Sequence, residues 1–122
     1  MKPAEVLIVD DEADIRETLR AILEDEGYRV ATAENGKVAL EALLRGARPK
    51  LILLDLTMPV MNGWETLERL RRDHDLATIP VAVVSAVCDA TGPLPTTHCL
   101  HKPFDIEQLL ALLDAEVHAS AA

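Results

Sequence analysis

A single doubly wound α/β domain, with a five-stranded parallel sheet in the order 2-1-3-4-5, is the fold the sequence predicts. Three observations carry it. Three short runs, Val6 to Val9, Leu51 to Leu54 and Val81 to Val84, are continuously apolar between polar flanks, which is how a parallel strand covered on both faces reads. Two other runs, 28 to 33 (YRVATA) and 97 to 101 (THCLH), mix polar and apolar residues as half-covered edge strands do. Helical stripes separate the runs, and right-handed crossovers then place helices on both faces of the sheet. With the apolar runs central and the mixed runs at the edges, 2-1-3-4-5 is the order that fits.

The elements follow in chain order. After the first strand, Ile15, Leu19, Ile22 and Leu23 fall at i, i+4, i+7 and i+8, and Gly27 stands as a stop. After the second, Asn35 is placed to cap the helical stretch GKVALEALLRG, which stops at Gly46. The third strand leads to Asp55 and, beyond Gly63, to a weaker stripe of Trp64, Leu67 and Leu70. The fourth is followed by the least regular stretch of the chain, CDATGPLPTTHC, Cys88 to Cys99. Eleven residues, Ala86 to Thr96, link strands four and five, close to the minimum for a parallel crossover. Gly92, Pro93 and Pro95 leave room for at most a turn of helix, because a proline in a helix interior costs about 3 kcal/mol or more. The fourth helix is therefore expected to be degenerate or missing. The last helix is well announced. Asp105 with Gln108 three residues on resembles a capping box, Phe104 is placed to staple onto Leu109, and Ile106, Leu109, Leu110, Leu113 and Val117 form the apolar stripe. No linker or repeat interrupts the 122 residues, so 1–122 is expected to be one domain ending in a short Ala/Ser tail.

Composition narrows the function. The chain is 49% hydrophobic but only 2% aromatic, so its core is built from Val, Ile, Leu and Ala. A formal net charge of −9 repels a phosphate backbone, which argues against nucleic acid as a partner. No run is long enough for a membrane span or a signal-peptide core, so no membrane partner and a cytoplasmic location are expected. The two cysteines are expected to be reduced. A metal or redox site from Cys88, Cys99, His98 and His101 is disfavoured, since strand alternation splits His98 from Cys99 and His101 and no compact ligand spacing is present.

In open parallel sheets, ligands sit beyond the carboxyl ends of the strands. There the first strand delivers Asp10 and Asp11, the third Asp55, the fourth Ser85 and the fifth Lys102 before Pro103. Singly, each has a structural reading: acids favour a helix N-terminus, a serine suits a turn, a lysine is a solvated charge. Together they read differently, because three acids crowded at strand ends repel one another unless a cation neutralises them. All-oxygen ligation with room for water suits Mg²⁺ or Mn²⁺, the usual partner of a phosphoryl group.

The segments VLIVDDE, LILLDLTMPVMNG, VVSA and HKPF, in this order and spanning nearly the whole chain, resemble the fingerprints of the receiver domain of two-component response regulators. The resemblance implies the flavodoxin/CheY-like strand order and a phosphorylation switch. Asp55 would be the phosphoacceptor, taking its phosphoryl group from a sensor histidine kinase, a phosphotransfer protein or a small donor such as acetyl phosphate. Asp11, Asp55 and the backbone carbonyl of Thr57 would hold Mg²⁺, with Asp10 acting through water. Lys102 and the Ser85 hydroxyl would contact phosphoryl oxygens, and the small Ala86 leaves room for them. Pro59, Gly63 and Pro103 would shape the loops, Pro103 through a cis bond. The resemblance also implies a downstream protein target or effector domain, reached by protein contact, by a homodimer or through a further segment. Cys99 stands where the family usually carries an aromatic residue of its switch. Trp64 fluorescence is expected to report on the pocket.

Two rival functions share parts of this pattern. A phosphorylation-independent pseudo-receiver, acting as a protein-binding module, is kept alive by Cys99 and the short fourth-helix segment. A haloacid-dehalogenase-like phosphatase also uses a strand-end aspartate, but it wants a second aspartate two residues on, where this chain has Thr57. The protein is therefore expected to be a phosphoacceptor that assists its own phosphorylation and dephosphorylation, not an enzyme acting on other substrates.

Overall fold

The computed structural model describes residues 4–55, 63–85, 98–101 and 105–119, apart from the side chains at 63, 64, 85, 98–101, 118 and 119. Thr57, Pro59, the connection 86–97, Lys102, Pro103 and Phe104, with the side chains of Trp64, Ser85 and Cys99, lie outside the described set. The expectations placed on them, including the degenerate fourth helix, lie there too.

The elements are β1 (Val6–Val9), α1 (Ala13–Asp25), β2 (Val30–Ala33), α2 (Gly36–Leu44), β3 (Leu51–Asp55), α3 (Gly63–Arg72), a 3-10 turn (Leu76–Thr78), β4 (Val81–Ser85), β5 (His98–His101) and α4 (Ile106–Ala119). All strand pairs are parallel, and β2-β1-β3-β4 follows the expected order, with β5 paired to β4 at the far edge. The mixed run at 28–33 is shorter than predicted, since Tyr28 and Arg29 precede the strand.

Strand alternation explains why the central runs are apolar throughout. Leu7, Val9, Ile52, Leu54 and Val83 face one way and pack against Ala39, Leu40 and Leu43 of α2 and Leu67 and Leu70 of α3. Val6, Ile8, Leu51, Leu53 and Ala82 face the other way, against Leu23 of α1 and Leu109, Leu113 and Val117 of α4. Every residue of β1 and β3 is buried. Fully burying one such aliphatic side chain is worth about 1.5–3 kcal/mol, so the two apolar layers, more than any polar contact, hold the strand ends in place.

Local signals set the helix limits. Asn35 caps α2, its side-chain oxygen accepting the Val38 N–H at 2.9 Å. Chain reversal after α1 and α2 falls on Gly27 and Gly46, at φ +97° and +115°, where a residue with a Cβ is strained. Ahead of α4, the Asp105 N–H donates to Oε1 of Gln108 at 3.1 Å, the returning half of a capping box. The 3-10 turn was not foreseen. Asp73 organises it by accepting the amides of Asp75 and Leu76 at 2.9 and 3.2 Å.

Candidate functional site

Register places the acids. Val9 pairs with Leu54, so Asp10, just past β1, and Asp55, the last residue of β3, come to lie side by side. Both are buried, each 5% exposed, while Asp11 is exposed one step further on. One carboxylate oxygen from each of Asp10, Asp11 and Asp55 can be chosen so that all three lie within 4.8 Å of one another. Like unit charges that close repel by on the order of 3 kcal/mol at an effective dielectric of about 20. A pocket that holds them there is suited to a cation, and three carboxylate oxygens make a hard donor set that fits Mg²⁺.

Asp10 is held from several directions. Its backbone N–H donates to the Ala33 carbonyl at 3.2 Å, tying the end of β1 to β2. Its carboxylate Oδ1 accepts the Glu12 N–H at 2.8 Å, at the start of α1 where amides have no partner within the helix. Its carbonyl accepts Nη1 of Arg16 at 2.6 Å. Glu12, the N-cap residue, makes no side-chain cap of its own. The first turn of α1 is therefore pinned to the strand end through Asp10 and Arg16.

Arg16 was missed in reading the sequence. A basic residue in the second turn of a helix that follows an acidic strand end can reach back over that turn, and the spacing from Asp10 to Arg16 was the available signal. It brings a guanidinium beside an acidic cluster without pairing with the carboxylates directly.

Of the other predicted site residues, Ser85 ends β4 one step past Val84, the register partner of Asp55, so its backbone lies at the same rim. Thr57 and Lys102 lie outside the described residues. Among the described residues, Asp10, Asp11 and Asp55 form the sole group of three or more such side chains close enough to share a metal ion. No helix among them is long and apolar enough to cross a membrane.

Comparison with known proteins agrees with this architecture. A family model described as the response regulator receiver domain matches residues 6–114. A CpxR homolog of Haemophilus influenzae, named a transcriptional regulatory protein, is 37% identical over 98% of this chain and 52% of its own length. Protein PilH of Pseudomonas aeruginosa is 35% identical over 92% of this chain and 96% of its own. The chain thus spans about half the length of the first curated relatives it matches and nearly all of PilH. In structure it is similar to the chemotaxis protein CheY4 of Vibrio cholerae, with a TM-score of 0.82 and 33% identity over 94% of this chain and 99% of that one.

Proposed function

The chain belongs to the response regulator receiver domains of two-component signalling, and from that premise we propose that Asp55 is its phosphoacceptor and that residues 1–122 act as one receiver unit. The observation that carries this reading is the convergence of Asp10, Asp11 and Asp55 at the carboxyl ends of β1 and β3. In the proposed reaction a carboxylate oxygen of Asp55 attacks phosphorus, and the bond from phosphorus to the donor breaks with its electron pair leaving on the donor. An acyl phosphate remains on Asp55. The donor is a phosphohistidine of a kinase or phosphotransfer protein, or a small acyl phosphate such as acetyl phosphate.

Asp10, Asp11 and Asp55, with the Thr57 carbonyl, are assigned to hold Mg²⁺ or Mn²⁺. When bound, the cation neutralises the crowded acids and the charge on the phosphoryl oxygens. The protein's own contribution is positional. The buried β3 presents Asp55 at a fixed point between β1 and β4, and Arg16 and the Glu12 amide fix Asp10 beside it. Ser85 and Lys102 are assigned to phosphoryl oxygens. The output passes by protein contact to a downstream target or effector domain, or by homodimerisation, and the protein works in the cytoplasm.

The test is direct. The chain is incubated with Mg²⁺ and acetyl phosphate and its mass is measured; beryllofluoride, a phosphoryl mimic, is added to a parallel sample monitored by Trp64 fluorescence. Wild type is expected to gain one phosphoryl group and Asp55→Ala none. A wild-type chain with no adduct and no response to beryllofluoride would leave the pseudo-receiver reading in its place.

A further inference from the structure

A groove of about 510 Å³ runs between α2 and α3, on the layer opposite α1 and α4. Its floor includes the buried Leu40 and Leu76 and ends at Leu44, which is 70% exposed and is the one exposed large hydrophobic among the described residues. Lys37, Arg69 and Arg72 stand along it. A single exposed leucine on a surface is ordinary; one set in a groove between cations is a place for an apolar side chain to dock.

The charge around the groove is opposite to that of the molecule. The groove's lining carries three cations, Lys37, Arg69 and Arg72, against two acids, Glu41 and Asp73, in a chain of net charge −9. Lys37 and Arg69 make no ion pair among the described residues. Arg72 pairs with Glu68 on its own helix, both well exposed, an arrangement worth little and readily exchanged. The two acids, Glu41 and Asp73, oppose an anionic ligand, so the lining's three cations exceed its acids by one; the Asp75 and Leu76 amides that Asp73 accepts hold its carboxylate toward the turn.

We propose that this α2–α3 groove docks a short acidic segment of a partner protein, an apolar side chain of the segment seating against Leu44 and its carboxylates meeting Lys37, Arg69 and Arg72. A peptide fits better than other anions. Nucleic acid and anionic bilayers extend well past the groove and meet the field of the whole −9 molecule, whereas a short segment senses charges within a Debye length of about 10 Å. A bilayer also needs more apolar contact than one leucine supplies.

The full chain is used to select from a random-peptide display library, and enriched peptides are titrated by fluorescence anisotropy against wild type, Leu44→Ser and Arg69→Glu. Both positions are exposed, and matching thermal melts verify that the variants are folded. Enriched peptides are expected to be net acidic with a large apolar residue, to bind more weakly as salt is raised, and to lose affinity about tenfold or more with either substitution. Peptides without acidic character, or binding that neither substitution changes, overturn the proposal. So does Leu44-dependent capture by phosphatidylserine vesicles, or sedimentation of wild type as a dimer that Leu44→Ser dissociates, since each gives the groove a different occupant.

Discussion

Two ends of the same sheet carry acidic clusters, and they are built differently. At the carboxyl ends of β1 and β3, oxygens of Asp10, Asp11 and Asp55 converge within 4.8 Å, and two of the three residues are buried. At the other end, Glu5 ahead of β1, Glu26 after α1 and Asp114 of α4 surround Tyr28 in a groove of about 490 Å³. There Glu5 accepts the Arg29 N–H at 3.1 Å and faces the Arg29 guanidinium at 3.7 Å. A count of acids does not separate the two clusters. Convergence of oxygens at a buried strand end does, because it leaves repulsion that a cation relieves, whereas the spread cluster acts on the phenol it encloses. Burial first, then Asp114, Glu5 and Glu26, hold the Tyr28 phenol above its ordinary value of 10.0.

The largest expected difference between the two ends is in metal binding. By isothermal titration, Asp11→Ala and Asp55→Ala are each expected to weaken Mg²⁺ binding by about tenfold or more, while Glu26→Ala leaves it unchanged. Equal binding by wild type and Asp11→Ala would break the comparison by placing the ion elsewhere. A smaller effect belongs to Arg16. Arg16→Ala is expected to cost about 1 kcal/mol of stability through the lost bond to the Asp10 carbonyl, and to weaken Mg²⁺ binding by less than Asp11→Ala does, because the loop carrying Asp10 loosens while every carboxylate stays. Arg16→Lys should recover part of the affinity. A lower urea midpoint with unchanged Mg²⁺ affinity would make Arg16 a prop for the helix and nothing more.

The smallest effect sharpens the other side. Tyr28 is the only tyrosine, so the absorbance of tyrosinate titrates it alone. With its folded pKa raised, the unfolded chain loses its proton first as pH rises. The stabilising contribution is therefore whole below the unfolded value of 10.0 and is lost as pH climbs from there through the folded value. Tyr28→Phe should lose less stability than wild type over that range. Asp114→Asn should lower the titration midpoint and still leave it above the ordinary value, because burial is the larger cause. A midpoint that Asp114→Asn does not move would remove the carboxylates from the account.

Much of the acidic rim was legible in the sequence. Continuous apolar runs identify β1, β3 and β4 because a strand covered on both faces needs apolar residues at every position, and the residue that ends such a run must then sit at the rim. Asp10, Asp11 and Asp55 are read that way. Arg16 was not read, because its role depends on where one rotamer reaches across the first turn of α1, which periodicity does not encode. The 3-10 turn at Leu76–Thr78 escaped for a related reason: it hangs on two amide bonds to Asp73, a local competition that no apolar pattern marks.

What the sequence determined by itself is what depends on local period and on strand ends: the strands and helices, the layers, and the three acids at one rim. Tertiary structure alone decided which distant charges share a surface. Glu5, Glu26, Tyr28 and Asp114 meet because α1 ends beside the start of β1 and α4 packs on the same face. Lys37 and Arg69 flank one groove with Leu44 because α2 and α3 pack side by side on the other. Surface charges carry no period of their own, and their neighbours are chosen by the packing of the apolar faces beneath them.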